Sequence, residues 1–222
     1  MSKTLMIIGA GPGIAQATAE RFASAGFRVI LASRDPHRHT GLLRKLEELN
    51  AEVILEAVDA SDAHQVAALV NRYADSLDVL HYNAGVLHYA ADGALSLRRL
   101  GDESVASLVS DTQINIASAL VAIQAALPGM TQRGSGTVLL TGGGLGVAPS
   151  ADLLTLSVGK AGIRSMTQAL FEPLKAHGIH IATVTVSTLV SPESAQSAGV
   201  AAAFWDLYAQ TPDSWSWETP YL

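Results

Sequence analysis

The stretch Thr4-Leu5-Met6-Ile7-Ile8-Gly9-Ala10-Gly11-Pro12-Gly13-Ile14-Ala15 decides the fold. Thr4–Ile8 is a short apolar run that stops at glycine, the pattern of a buried parallel strand. Ile14–Ala25 carries Ala17, Phe22 and Ala25 at helical spacing and ends at Gly26. Between strand and helix, Gly9, Gly11 and Gly13 permit a tight turn and close approach of a ligand to the backbone. Pro12 and Ile14 complete the loop, and free N–H groups at a helix start favour an anion. The spacing is Gly-x-x-x-Gly-x-Ala; Gly-x-Gly-x-x-Gly would need glycine where Ile14 stands. Strand, loop and helix in this order read as the phosphate turn of a dinucleotide site, against an ordinary glycine turn.

The same alternation continues outward. Strands are expected at Phe27–Ala32, Glu52–Val58, Asp78–His81, Thr137–Thr141 and Ile179–Val186. Helices are expected at Thr40–Leu49, Asp62–Ser76, Glu103–Leu127, Leu153–Ala176 and Ser194–Ala209. Ser61 or Asp62 caps the third helix, Pro128-Gly129 ends the long one, and Gly159, Gly162 and Pro173 weaken or kink the next. Residues 86–101 read as irregular. Six strands alternating with helices imply a single Rossmann-type α/β domain over residues 1–222, a doubly wound parallel sheet in three α/β/α layers. Ligands of such sheets bind beyond the C-terminal strand ends. No seventh strand is read. Residues 192–222 form a last helix and an aromatic tail. There Phe204, Trp205, Tyr208, Trp215 and Trp217 either cover a substrate cleft or pack in the core or between subunits.

Composition narrows the function. The 222 residues are 49% hydrophobic and 15% charged, with net charge −6. That suits a folded domain and gives no electrostatic footprint for nucleic acid or an anionic membrane. The absence of cysteine excludes thiolate metal sites and fits a cytoplasmic location; no metal site is expected. No secretory signal is read at the N-terminus, and no apolar run reads as long and unbroken enough to span a bilayer.

The Gly9–Ala15 loop resembles that of the short-chain dehydrogenase/reductase family, Gly-x-x-x-Gly-x-Gly, with Ala15 in place of the last glycine. Tyr82-Asn83-Ala84-Gly85 is similar to the family's Asn-Asn-Ala-Gly, with Tyr82 at its first position. By this resemblance Asn83, Ala84 and Gly85 support the adenosine ribose side. Asp59-Ala60 stands where the family's Asp meets the adenine amino group; a helix-cap region is the other reading. At the end of the second strand Ser33 and Arg34, with His37 and Arg38 near, suit a ribose 2′-phosphate and favour NADP(H). Asp35, by a one-residue shift, would favour NAD(H).

The resemblance implies an active site of Asn, Ser, Tyr and Lys. Asn115 and Lys160 stand at two of these places. Lys160 lies in Leu156-Ser157-Val158-Gly159-Lys160-Ala161, which resembles Tyr-x-x-x-Lys-Ala with Leu156 at the Tyr place. Gly143, in Thr141-Gly142-Gly143-Gly144, stands at the Ser place. The glycine run is expected to make a roomy site whose N–H groups replace the Ser hydroxyl. Thr141, His88 and Tyr89 are candidate proton carriers. After the sixth strand, Ser187-Thr188-Leu189-Val190 replaces Pro-Gly, leaving backbone near Leu189 to hold the nicotinamide carboxamide. Two functions follow. One is an NADP(H)-dependent oxidoreductase of small carbonyl or alcohol substrates with an altered proton donor. The other is a silent NADP(H) binder acting as a sensor or assembly partner. A homodimer or homotetramer is expected through the two long helices.

Overall fold

A computed structural model describes residues 2–92 and 94–222. Seven parallel strands form one sheet in the order β3-β2-β1-β4-β5-β6-β7. They are β1 (Thr4–Ile8), β2 (Arg28–Ser33), β3 (Val53–Ala57), β4 (Val79–Tyr82), β5 (Gly136–Thr141), β6 (Ile179–Val186) and β7 (Glu218–Tyr221). The helices are α1 (Ile14–Ala23), α2 (Thr40–Glu48), α3 (Ala63–Tyr73), α4 (Val105–Thr112), α5 (Ser118–Arg133), α6 (Leu154–Lys175) and α7 (Ala195–Ala209).

Strand periodicity sorts the core. Leu5 and Ile7 of β1 join Phe22 and Phe204 on one face of the sheet, while Met6 and Ile8 join Tyr82 and Ile123 on the other. Continuous apolar strands are needed because helices cover both faces. The strand order reverses between β1 and β4, where a crevice opens at the C-terminal strand ends.

Two expectations change. First, β7 exists: it pairs parallel with β6 from Thr183↔Glu218 to Val186↔Tyr221, and its Pro220 is tolerated at the sheet edge. Second, Pro128-Gly129 does not end the long helix, which runs on to Arg133 and stops at the left-handed Gly134. Gly129 packs directly on the Ala74 carbonyl, and Arg133 donates to the carbonyls of Ala74, Asp75 and Leu77 at 2.9, 2.7 and 2.6 Å. Those contacts hold the last turn despite the bond Pro128 cannot donate.

The helical run Val105–Arg133 has the length and composition that a core helix can share with a membrane span. Its inner face carries Asp111 and Asn115 and packs on α3 and α6. The irregular reading of 86–101 stands, with isolated bridges pairing Tyr89 with Leu95 and Arg98 with Leu153 among the described residues.

None of the five C-terminal aromatics lines the crevice. Phe204 packs on His81, Trp205 and Tyr208 pack on Phe22 and Phe27, and Trp215 stacks on His180 at 4.8 Å. Trp217 meets Arg164.

Candidate functional site

The crevice is an open cleft of about 960 Å³. Its walls take Gly9 and Ala10 from the β1 loop, Ser33 to Asp35 from β2, Asp59 and Ala60 from β3, and Asn83 to His88 from β4. Gly9 has φ +92°, and a Cβ there would collide with the Ala84 backbone, so only glycine fits. The Gly9 and Ala10 amides are tied to the Ala32 carbonyl at 2.9 and 3.0 Å. Gly11, Pro12 and Gly13 carry the chain from this wall into α1, where Ile14 begins the helix with no side-chain cap over its first N–H groups.

At the β2 end, Ser33 Oγ lies 3.2 Å from His39 Nε2, and Arg34, Arg38 and His39 line the cleft while His37 does not. Arg28, Arg72, Arg98, Arg99 and Arg164 are each paired with a carboxylate. Among the described residues Arg34 and Arg38 have no such partner within salt-bridge distance, and both line the cleft along with Asp35 and Asp59. Asp59 is not the cap of α3; Asp62 is, accepting from His64 and Gln65. Asp59 Oδ1 accepts from the Ser61 amide and hydroxyl, and the residue faces the cleft.

At the β4 end a buried polar chain links sheet and loop. His81 Nε2 meets Thr141 Oγ1 at 2.9 Å, Thr141 Oγ1 donates to Asn83 Oδ1 at 2.8 Å, and Asn83 Nδ2 donates to the Gly9 carbonyl at 2.9 Å. Because Thr141 spends its proton on Asn83, His81 donates from Nε2 and leaves Nδ1 as a bare acceptor. Burial, helped by the Lys160 charge, pushes His81 down to about 3, so it stays neutral.

Lys160 donates to the Thr141 carbonyl at 2.7 Å, and burial lowers its ammonium to about 8. Asn115 sits in a π turn, Gln113–Ala117, between α4 and α5. Its Oδ1 accepts from the Val86 amide at 2.9 Å, while its buried Nδ2 has no partner among the described residues. A Cβ on Gly85 would stand 3.7 Å from Asn115 Oδ1 and 3.8 Å from Lys160 Nζ, so the three converge. Tyr82 Oη donates to the Ile114 carbonyl at 2.6 Å and secures the π turn.

The glycine run after β5 is not roomy, because neighbours close over it. A Cβ on Gly142 would lie 2.5 Å from Thr183 Oγ1, on Gly144 2.6 Å from Ser187 Oγ, and on Gly146 2.6 Å from the Lys160 backbone. Gly143 lies against the Lys160 stem. Leu189 is 83% exposed and stands apart from the cleft. Ser157 spends its hydroxyl on the Leu153 carbonyl at 2.9 Å, and Tyr89 is exposed.

Sequence reasoning missed His39 and Asp111. Asp111 is 2% exposed and accepts from His88 Nε2 at 2.9 Å. Its signal was the four-residue step to Asn115, which puts both on one helix face. His88, Glu103 and Asp111 carry potential ligand atoms within 4.8 Å of one another, yet Arg98 lies 2.9 Å from Glu103 Oε2 and supplies the positive charge there.

The fold and cleft define an open parallel α/β protein with a ligand crevice at its switch point. The model of the short chain dehydrogenase family matches residues 3–198, and the chain belongs to that family. An uncharacterized oxidoreductase of Staphylococcus saprophyticus is 25% identical over 197 residues, covering 86% of this chain and 80% of that protein. A metagenomic short-chain oxidoreductase solved in complex with NADP superposes with TM-score 0.87 at 23% identity, covering 100% of this chain and 99% of that one. A short-chain dehydrogenase from Sphingobium yanoikuyae in complex with NADPH gives TM-score 0.83 at 22% identity, covering 98% and 87%.

Proposed function

We propose that the chain is a cytoplasmic NADP(H)-dependent oxidoreductase of small carbonyl or alcohol substrates whose proton donor is not the family's tyrosine. The observation that carries this reading is that Arg34 and Arg38, with no salt-bridge partner among the described residues, stand beside Ser33 in the cleft that reaches Gly85. An adenosine ribose 2′-phosphate is the anion such a fork suits. The whole chain serves as one NADP(H)-binding unit. Gly9 to Ile14 would hold the pyrophosphate, Asp59 and Ala60 the adenine, and Asn83 to Gly85 the adenosine ribose side. Leu189 remains a candidate only through its backbone.

Hydride transfer is the chemistry a bound nicotinamide supplies. Lys160 would bind the nicotinamide ribose, and Asn115, with Nδ2 unpartnered, would hold a water or a substrate oxygen. Leu156 at the family's Tyr place and Gly143 at its Ser place remove two of the usual polar groups. Exposed Val105, Val109 and Leu120 on the long helical run support a homodimer or homotetramer.

The test is titration with NADPH and NADH by cofactor fluorescence, then NADPH oxidation with a panel of carbonyls, imines and activated alkenes. Arg34→Ala is expected to weaken NADPH by ~10–100-fold, the cost of a lost charge-assisted fork, and NADH far less. Equal loss for both cofactors removes the 2′-phosphate assignment. Lys160→Ala is expected to abolish turnover. Tight NADPH binding without oxidation across the panel identifies a silent binder instead.

A further inference from the structure

We propose that His88, held by Asp111, is the proton donor that replaces tyrosine, giving its proton from Nδ1 to the substrate oxygen. This rests on the enzymatic reading above. The cofactor cleft and a small neighbouring cavity share the lining residues Val86, Leu87 and His88, and of these only His88 can carry a proton. Leu156 lines the same small cavity as His88, so His88 borders the space beside the residue where the family's acid would stand.

The ring is positioned. Its Nε2 is bound to Asp111 Oδ2 at 2.9 Å, and among the described residues no group bonds Nδ1. A buried carboxylate behind an imidazole fixes the tautomer and steadies the imidazolium. The loop is fixed as well. The Val86 amide is held by Asn115, one turn from Asp111, and the His88 carbonyl accepts from Ser96 N at 2.8 Å. Of the other charges around the ring, Asp152 bonds Arg99 at 2.8 Å, and Glu103 Oε2 lies 2.9 Å from Arg98 without hydrogen-bond geometry. Asp111 is the carboxylate bonded to His88.

In the reductive direction a bound reduced nicotinamide would supply hydride to the substrate's carbonyl carbon. The carbon–oxygen π pair moves to oxygen, which takes the proton leaving His88 Nδ1. Solvent returns a proton to the ring. Asp111 is a positioning residue, since it acts through His88.

The experiment measures NADPH oxidation with diacetyl, the most activated member of the carbonyl panel, across pH. His88→Gln is expected to lower kcat by about 100-fold or more, a far larger change than in NADPH affinity. Asp111→Asn is expected to lower kcat and shift the pH profile, with KM little altered. Leu156→Tyr in the His88→Gln background is expected to restore part of the rate. Independently of turnover, carbethoxylation of His88 by diethyl pyrocarbonate, read by mass spectrometry, is expected to slow when NADP+ saturates the protein. Wild-type kcat and pH profile in His88→Gln, or modification of His88 at one rate with and without NADP+, overturns the assignment and leaves the enzymatic reading standing. If NADPH binds but no carbonyl in the panel is reduced even by the wild type, the enzymatic reading fails and His88 with it.

Discussion

Lys160 is a half-buried cation with a backbone carbonyl, not a carboxylate, as its bonded partner. Burial lowers it from 10.5 to about 8. Between those values the unfolded chain binds more protons than the folded one, so stability rises as pH climbs through that window. Below the folded value the cost of burying the charge is fully present. Lys160→Met is therefore expected to be more stable than wild type at neutral pH, by ~1–2 kcal/mol once the lost bond to Thr141 is counted. It should also lose the alkaline rise in stability. Urea unfolding at a series of pH values checks this, and an undiminished alkaline rise in the variant would count against burial of the charge. Such strain at a site is a usual companion of function. Lys160 and Asn115 were legible in the sequence because each sits in a recognisable local pattern. The His88–Asp111 pair was not, since its partners are 23 residues apart and only the folded loop brings them together.

At the scale of elements, the long helix between β4 and β5 departs most from its periodicity. A π turn inserts one extra residue's worth of rotation at Gln113–Ala117 and aims Asn115 inward. Tyr82 from β4 bonds the Ile114 carbonyl within that turn. Burial holds the Tyr82 phenol above its ordinary range, so it remains a donor at any physiological pH. Tyr82→Phe should cost ~1 kcal/mol and weaken protection of the Val86 amide, which Asn115 holds. Amide hydrogen exchange on Val86 is the readout, and unchanged protection would show that the turn stands without the phenol. The helices and first six strands were readable from apolar spacing and caps. The π turn was not, because its cause lies in a strand across the fold. Helix continuation through Pro128 was hidden for a similar reason: Arg133 and Gly129 draw the last turn onto residues 74–77.

Over the whole molecule, the sheet is finished by a strand with little signal of its own. Glu218–Tyr221 is short, contains Pro220, and shows no apolar alternation. It is held by side chains that sequence distance conceals. Glu218 accepts from Arg164 of α6 at 2.9 Å and from Thr185 of β6 at 2.6 Å. Burial alone would raise the Glu218 carboxyl, but these bonds outweigh it and hold it below its ordinary value. Its contribution is therefore present above the usual carboxylate range and fades as pH falls through the folded value. Glu218→Gln should cost ~1 kcal/mol and open residues 210–222 to limited proteolysis. A cleavage pattern identical to wild type would show that strand pairing alone holds the tail.

All three tryptophans lie in residues 192–222, and Trp215 lies flat against His180, with 5° between the rings. Burial keeps His180 neutral below its normal range. The molecule thus carries its own optical gauge. Its native emission reports the seating of the last helix and strand and not the cleft, and it should dim in acid when His180 gains its charge and quenches the indole above it.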